Sequence, residues 1–182
     1  ELLPLLLEAG HQLTVVSRRL ARGYDAERAD GRLTWMQFDP ASSSTWADAG
    51  LLDALNQADA VVNLAGEPIA EKRWTPTHRQ LLESSRLETT SQLVKAIEDC
   101  ATPPKLLVNA SAIGFYGSSL DKRFLESSTP GDDFLASLCE RWEAAAMAVP
   151  SAVRQVTLRI GIVLAADGGA LGKMLPVFRT GF

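Results

Sequence analysis

The sequence predicts an α/β domain built on a doubly wound parallel sheet, and three features carry that expectation. Asp59-Ala60-Val61-Val62-Asn63-Leu64-Ala65-Gly66 is a short β-branched run that stops at a small, turn-prone end. A run apolar on both faces reads as a central strand of a parallel sheet. Further apolar runs at 12–16, 33–38, 105–110 and 155–160 alternate with stretches of helical spacing. Strand, helix, strand in that rhythm calls for parallel pairing with right-handed crossovers.

The elements follow in order. Residues 2–9 are leucine-rich and stop at Gly10, a natural residue for the position just past a helix end. Pro4 suits that helix only if it starts nearby. The strand at 12–16 ends in Ser17-Arg18-Arg19, and a polar connection over 21–31 leads to the strand at 33–38, stopped by Asp39-Pro40. Ser42-Ser43-Ser44-Thr45 opens a loop or helix start before a short helical piece at 51–56. After the 59–66 strand, Leu81, Leu82, Leu87, Leu93, Val94 and Ile97 recur at near-helical spacing within 76–99, a long helix that packs on the sheet. Pro103-Pro104 ends it. Asp132 or Asp133 can cap a helix carrying Phe134, Leu138, Trp142 and Ala146. The ends read as cut: the chain starts inside a helical pattern and finishes on apolar residues, so a first strand and a later portion are expected to be missing.

Composition narrows the function classes. With 182 residues and 46% hydrophobic content the chain can bury one sizeable core. A net charge of -4 with no basic stripe argues against nucleic-acid binding. Cys100 and Cys139 lie in unlike contexts, far from His11 and His78, so no metal-ligand spacing exists. That cysteine usage fits a reducing cytoplasm. The longest apolar run, 2–7, is too short to span a bilayer.

Candidate chemistry collects at strand ends. Ser17, Arg18 and Arg19 follow the strand where dinucleotide-binding folds place an acid for a ribose hydroxyl or an arginine for a 2′-phosphate. A guanidinium pairs bidentately with phosphate, which favours the phosphorylated cofactor; two solvated surface arginines are the competing reading. Asn63-Leu64-Ala65-Gly66 and Leu107-Val108-Asn109-Ala110-Ser111 both end on small polar residues, which let a flat cofactor approach the backbone. Ordinary turn chemistry explains either one alone. Several such ends in register, with the arginines, favour binding.

These residues carry a resemblance. Asn63 to Gly66, Ser111 followed by Gly114-Phe115-Tyr116-Gly117, and Leu158-Arg159-Ile160-Gly161 are similar to successive motifs of extended or atypical short-chain dehydrogenase/reductases. Asn-Leu-Ala-Gly-Glu-Pro-Ile-Ala-Glu-Lys-Arg-Trp at 63–74, Ser-Arg-Leu-Glu-Thr-Thr at 85–90, Arg141-Trp142-Glu143 and Gly-Gly-Ala-Leu-Gly-Lys-Met-Leu-Pro at 168–176 resemble the sugar-nucleotide-epimerase-like family, sometimes labelled cell-division-inhibitor-related. The resemblance covers essentially all of the chain. It implies a Rossmann-type NADP(H)-binding domain over 1–165, without its Gly-rich turn, and the start of a substrate-binding region over 166–182. It puts the 2′-phosphate contact at Arg18 with Ser17 and Arg19, and the adenine edge near Phe38 and Asp39. The ribose and nicotinamide side runs along Asn63, Leu64, Ala65, Gly66 and Glu67, with Gly161 following the last strand. Arg86 is implied to face the cleft and cofactor, against a surface arginine paired with Glu83 or Glu88, and Lys173 to hold a substrate diphosphate, against a solvated lysine.

The expected departure is catalytic. The superfamily's proton donor is a Tyr four residues before a Lys on one helix, and here those positions are Phe134 and Leu138. Ser111 and Tyr116 are the replacement candidates, with Glu67 read as a general base or as a loop carboxylate alone. Ser111 falls at the superfamily's serine position only if one residue is inserted before Tyr116; otherwise Ala112 does, and Tyr116 also suits a packing wall. Arg73-Trp74 reads as cleft wall or helix-docking anchor. Two classes follow: an NADP(H)-dependent epimerase or oxidoreductase acting on a nucleotide sugar or other small polar substrate, with room for an oligomer, or a non-catalytic NADP(H)-binding sensor or scaffold.

Overall fold

The computed structural model describes residues 2–20, 23–165 and 169–181. Its element order is α1 (Leu2–Glu8), β1 (Leu13–Ser17), α2 (Asp25–Ala29), β2 (Leu33–Gln37), α3 (Ala49–Gln57), β3 (Ala60–Asn63), α4 (Pro76–Glu98), β4 (Leu106–Ala112), α5 (Phe134–Met147), β5 (Arg154–Ile160), β6 (Leu164–Ala165) and α6 (Gly169–Arg179). All ladders are parallel, and the arrangement is a Rossmann-like α/β fold, as expected. Among the described residues, β1 to β5 form two sheets rather than one: β1 pairs with β2, while β3, β4 and β5 lie side by side in that order. Ser17 is level with Gln37 in the first ladder; Asn63 is level with Asn109, and Ser111 with Arg159, in the second.

Local chemistry sets the helix ends. Pro4 falls in the first turn of α1, where amides lack an intrahelical partner anyway. The helix closes with His11 N–H on the Leu6 carbonyl and Gly10 N–H on Leu7, and Gly10 takes the positive φ of 85° that this double closure requires. Asp48, Thr75 and Asp133 each cap a helix by accepting from the amide three residues on, in α3, α4 and α5 respectively. Of the two aspartates proposed for α5, Asp133 is the cap. The polar connection after β1 contains the short helix α2, and the apolar end of the chain forms α6.

Helices α4 and α5 pack on each other and cover one face of the β3–β5 ladder. Leu107 of β4 meets Leu93, Val94, Ala96 and Ile97 of α4, with Leu55 of α3 and Val149 and Val153 closing the cluster. Each large side chain there contributes about 1.5–3 kcal/mol of burial free energy, which is what fixes α4 to the sheet. The strand at 59–66 was expected to be buried on both faces, but β3 is shorter and Val62 is 45% exposed. Alternation turns Asn63 inward and Val62 outward, and among the described residues no helix covers that outer face there.

Candidate functional site

Within each sheet the strands are parallel, so their carboxyl ends share an edge, and the Arg18–Glu67 ion pair brings the two edges together; the candidate residues collect along them. Asn63, the last residue of β3, is buried and fully used. Its Nδ2 donates to Thr90 Oγ1 at 2.9 Å and Asn109 Oδ1 at 2.7 Å, while its Oδ1 accepts from the Ala65 amide at 3.2 Å. Thr90 Oγ1 also accepts from Trp142 Nε1 at 2.9 Å, so one hydroxyl ties β3 to α4 and α5. Asn63 thereby shapes the turn that leaves Leu64 and Gly66 exposed at the edge.

Arg86 supports the same turn from beneath. Its Nη2 donates to the Glu67 carbonyl at 3.0 Å and its Nη1 to the Leu82 carbonyl at 3.1 Å, with its guanidinium 5.2 Å from the Trp142 ring. Burial pulls its pKa below the ordinary guanidinium value, against the opposing fields of Cys139 and Glu67. Arg86 is thus a support of the turn's backbone rather than a surface arginine paired with Glu83, which instead binds Arg141 at 2.6 Å. A Cβ on Gly66 would sit 3.0 Å from the Arg86 guanidinium carbon, so glycine lets the turn lie against it. Glu67 is nearly buried; its carboxylate meets Arg18 at 3.3 Å and Lys72 at 3.7 Å, and its amide donates to Ser85 Oγ.

On the other ladder, Arg18 leaves β1 with its side chain 58% exposed, and Arg19 is exposed beside it. Ser17 accepts from Trp35 Nε1 at 3.0 Å and donates to the Arg19 carbonyl, which fixes the start of this loop. Phe38 is half-buried and Asp39 exposed, its Oδ1 accepting from the Ala41 amide at 3.1 Å.

At the end of β4, Ser111 is 3% exposed and donates to Glu143 Oε1 at 2.6 Å. Glu143, on α5, also receives a two-point clamp from Arg159 on β5: Nε to Oε1 at 2.9 Å and Nη2 to Oε2 at 2.8 Å. The remaining terminal nitrogen of Arg159 donates to Tyr116 Oη and to the Glu126 carbonyl, both at 2.9 Å. Glu143 holds the Arg159 pKa well above its ordinary value through these hydrogen bonds, burial opposing. The half-buried Tyr116 ring stacks on Phe124 and meets Phe115 edge-on. Cys139 lies beside Ser111, and burial pushes its thiol pKa up, with the Ser111 and Ala112 hydrogen bonds pulling the other way.

Phe134 packs edge-on against Trp74 at 5.6 Å and Leu138 is buried at 2% exposure, so both are packing residues on α5. Trp74 donates its Nε1 to the Ile69 carbonyl at 2.7 Å, and Arg79 stands over both rings, which makes Trp74 the anchor that docks the 64–75 loop on α5. Gly161 is exposed just beyond β5. Lys173 falls on α6, and its side chain lies outside the described residues. Among the described residues no group of His, Cys, Asp and Glu could hold a metal ion. Glu143 and Arg159 fall within the Arg141-Trp142-Glu143 and Leu158-Arg159-Ile160-Gly161 motifs, to which sequence reasoning assigns no role for either; a carboxylate next to a Trp of helical spacing and an arginine inside a strand are the signals that point to them.

Residues 1–156 match the profile of the NAD dependent epimerase/dehydratase family. The human epimerase family protein SDR39U1 is 40% identical over 180 residues, 97% of this chain and 55% of that protein. The chain therefore spans about half the length of this curated relative. The crystal structure of human SDR39U1 (isoform 2) with NADPH superposes at a TM-score of 0.75, with 36% identity, covering 99% of this chain and 55% of that one. The nucleoside-diphosphate sugar epimerase from Corynebacterium glutamicum follows at 0.66 with 29% identity, over 97% and 41% of the two chains. With a family profile across most of its length and a 40% identical relative, the chain belongs to the NAD dependent epimerase/dehydratase family.

Proposed function

We propose that this chain is the nucleotide-binding part of an NADP(H)-dependent epimerase- or oxidoreductase-like enzyme acting on a nucleotide sugar or another small polar substrate. The observation that carries the reading is the exposed Arg18 guanidinium at the carboxyl end of β1. It belongs to a fold shared, at 36% identity, with a relative solved with NADPH. Arg18, with Ser17 and Arg19, takes the 2′-phosphate in competition with the Glu67 carboxylate. Phe38 and Asp39 flank the adenine. Asn63 holds the turn of Leu64, Ala65 and Gly66 in place for the ribose and nicotinamide, Arg86 braces it from below, and Gly161 closes the far side. When bound, NADP(H) supplies the hydride. Residues 1–165 serve the cofactor, and 166–182 open the substrate region, with Lys173 toward a substrate diphosphate. Free Cys100 and Cys139 suit a reducing cytoplasm.

Ser111 and Tyr116 remain the polar pair nearest to the chemistry. Ser111 is too enclosed to meet substrate directly and acts through Glu143, whereas the half-buried Tyr116 keeps an O–H to offer. A second reading, a non-catalytic NADP(H) sensor or scaffold, is favoured by Phe134 and Leu138, neither of which can move a proton. The intact protein with NADPH and a panel of sugar nucleotides and keto compounds separates the two. Cofactor oxidation or isomer exchange is the expected result. Tight NADPH binding with no turnover on any candidate would install the sensor reading instead.

A further inference from the structure

The positions that the superfamily gives to its proton donor and its cation are Phe134 and Leu138, which are packing residues here. A phenol and a cation nonetheless meet at the same end of the sheet. Tyr116 closes the 3-10 turn that follows β4, and Arg159 lies on β5 level with Ser111. Arg159 Nη1 donates to Tyr116 Oη at 2.9 Å. A guanidinium only donates, so this bond fills the acceptor side of the phenol and leaves it one thing to offer, its own proton. Two nitrogens of Arg159 are clamped by the Glu143 carboxylate, and the third reaches out to a ring that is only half-buried. Stacking on Phe124 and the bond from Arg159 to the Glu126 carbonyl hold that ring in one orientation.

Resting on the NADP(H)-dependent reading above, we propose that Arg159, clamped by Glu143, is the positioning residue for Tyr116, and that Tyr116 gives the proton to the substrate oxygen. In the reducing direction the substrate is a ketone. Its carbon accepts hydride, the C=O π pair moves onto oxygen, and that oxygen takes the Tyr116 proton to give a secondary alcohol. The phenolate is left facing the Arg159 guanidinium and regains a proton from water. Oxidation of the alcohol runs the same transfers backward. Ser111 donates to Glu143 and so keeps the clamp in place without touching substrate.

The test compares Tyr116→Phe, Arg159→Lys and the double variant in the intact protein. Lysine keeps a positive charge for Glu143 but lacks the planar fork that spans Glu143 and Tyr116 together. Tyr116→Phe should lower kcat by roughly 10²–10⁴-fold, the range for loss of a general acid, and raise KM by no more than about tenfold, the equivalent of the one hydrogen bond it loses to substrate. Arg159→Lys should lower kcat about tenfold alone and add almost nothing once Tyr116 is Phe, because residues acting through one another do not add. Losses that multiply in the double variant overturn the proposal. Titration of UDP-glucose reads the same coupling without turnover. Each single variant should weaken binding by about tenfold, the equivalent of one hydrogen bond, and the double variant no further. Equal binding across the set, or no binding to the unsubstituted protein, also overturns it. Failure of that protein to bind NADPH counts against the cofactor reading instead, and the titration is then made on the cofactor-free protein.

Discussion

Thr90→Val removes one buried oxygen and keeps the shape of the side chain. That oxygen accepts from Asn63 Nδ2 and from Trp142 Nε1, each at 2.9 Å, and Thr90 itself is fully buried. Trp142 then has no acceptor among its described contacts, while Asn63 keeps its bond to Asn109 at 2.7 Å and loses one of two. Leaving a buried donor unsatisfied costs about 1–3 kcal/mol, so the two together set a loss of about 2–6 kcal/mol. Thr90→Ser keeps the hydroxyl and deletes one methyl group, for about 1 kcal/mol. Urea unfolding followed by tryptophan fluorescence should show the midpoint falling much further for Val than for Ser, at unchanged slope. The effect should reach function, because Asn63 also holds the Ala65 amide and with it the turn after β3. NADPH binding should weaken in Thr90→Val more than in Thr90→Ser. A valine variant as stable as the serine variant would refute the view that this hydroxyl knits β3, α4 and α5 together.

Two further perturbations probe the supports of the site. Gly131→Ala should destabilise the protein by about 1–3 kcal/mol in the same assay, the usual cost of overpacking, since a Cβ there would lie 2.8 Å from the Gly117 Cα; an alanine variant of unchanged stability contradicts the close approach. Burial pushes the thiols of Cys139 and Cys100 up, so the folded chain holds their protons to higher pH than the unfolded chain does. Stability should therefore be intact below the unfolded thiol value of about 8.5 and fall as pH rises beyond it. Cys139→Ala should shrink that fall; an equal fall in both proteins removes Cys139 as its source.

The layout of the fold was legible because strand and helix periods differ and because each helix carries its own punctuation. Thr75 with Pro76, Asp133 before Phe134, and Gly10 after α1 all act where their residue types predict. The extent of burial was less legible. Ala60-Val61-Val62 is apolar throughout, yet only Val61 and, beyond it, Asn63 turn toward α4, because coverage depends on which elements pack above the sheet and not on the strand's own letters. At the site, residue types were readable and directions were not. Arg86 reads as a cation for the cleft but spends its donors on two backbone carbonyls, and Ser111 reads as a cleft hydroxyl but gives its proton to Glu143. Glu143 and Arg159 lie 16 residues apart and meet only because α5 crosses back over β5. No local spacing encodes that meeting.

We propose that the carboxyl edge holds a phosphorylated nicotinamide cofactor through Arg18. That proposal is tested most directly by the dissociation constants of NADPH and NADH for the intact protein and for Arg18→Asp, measured by fluorescence titration. The unsubstituted protein should prefer NADPH. The aspartate variant should lose most of that preference through weaker NADPH binding, by roughly tenfold or more for one charge-assisted pair removed and one repulsion added. Unchanged discrimination between the two cofactors would contradict it.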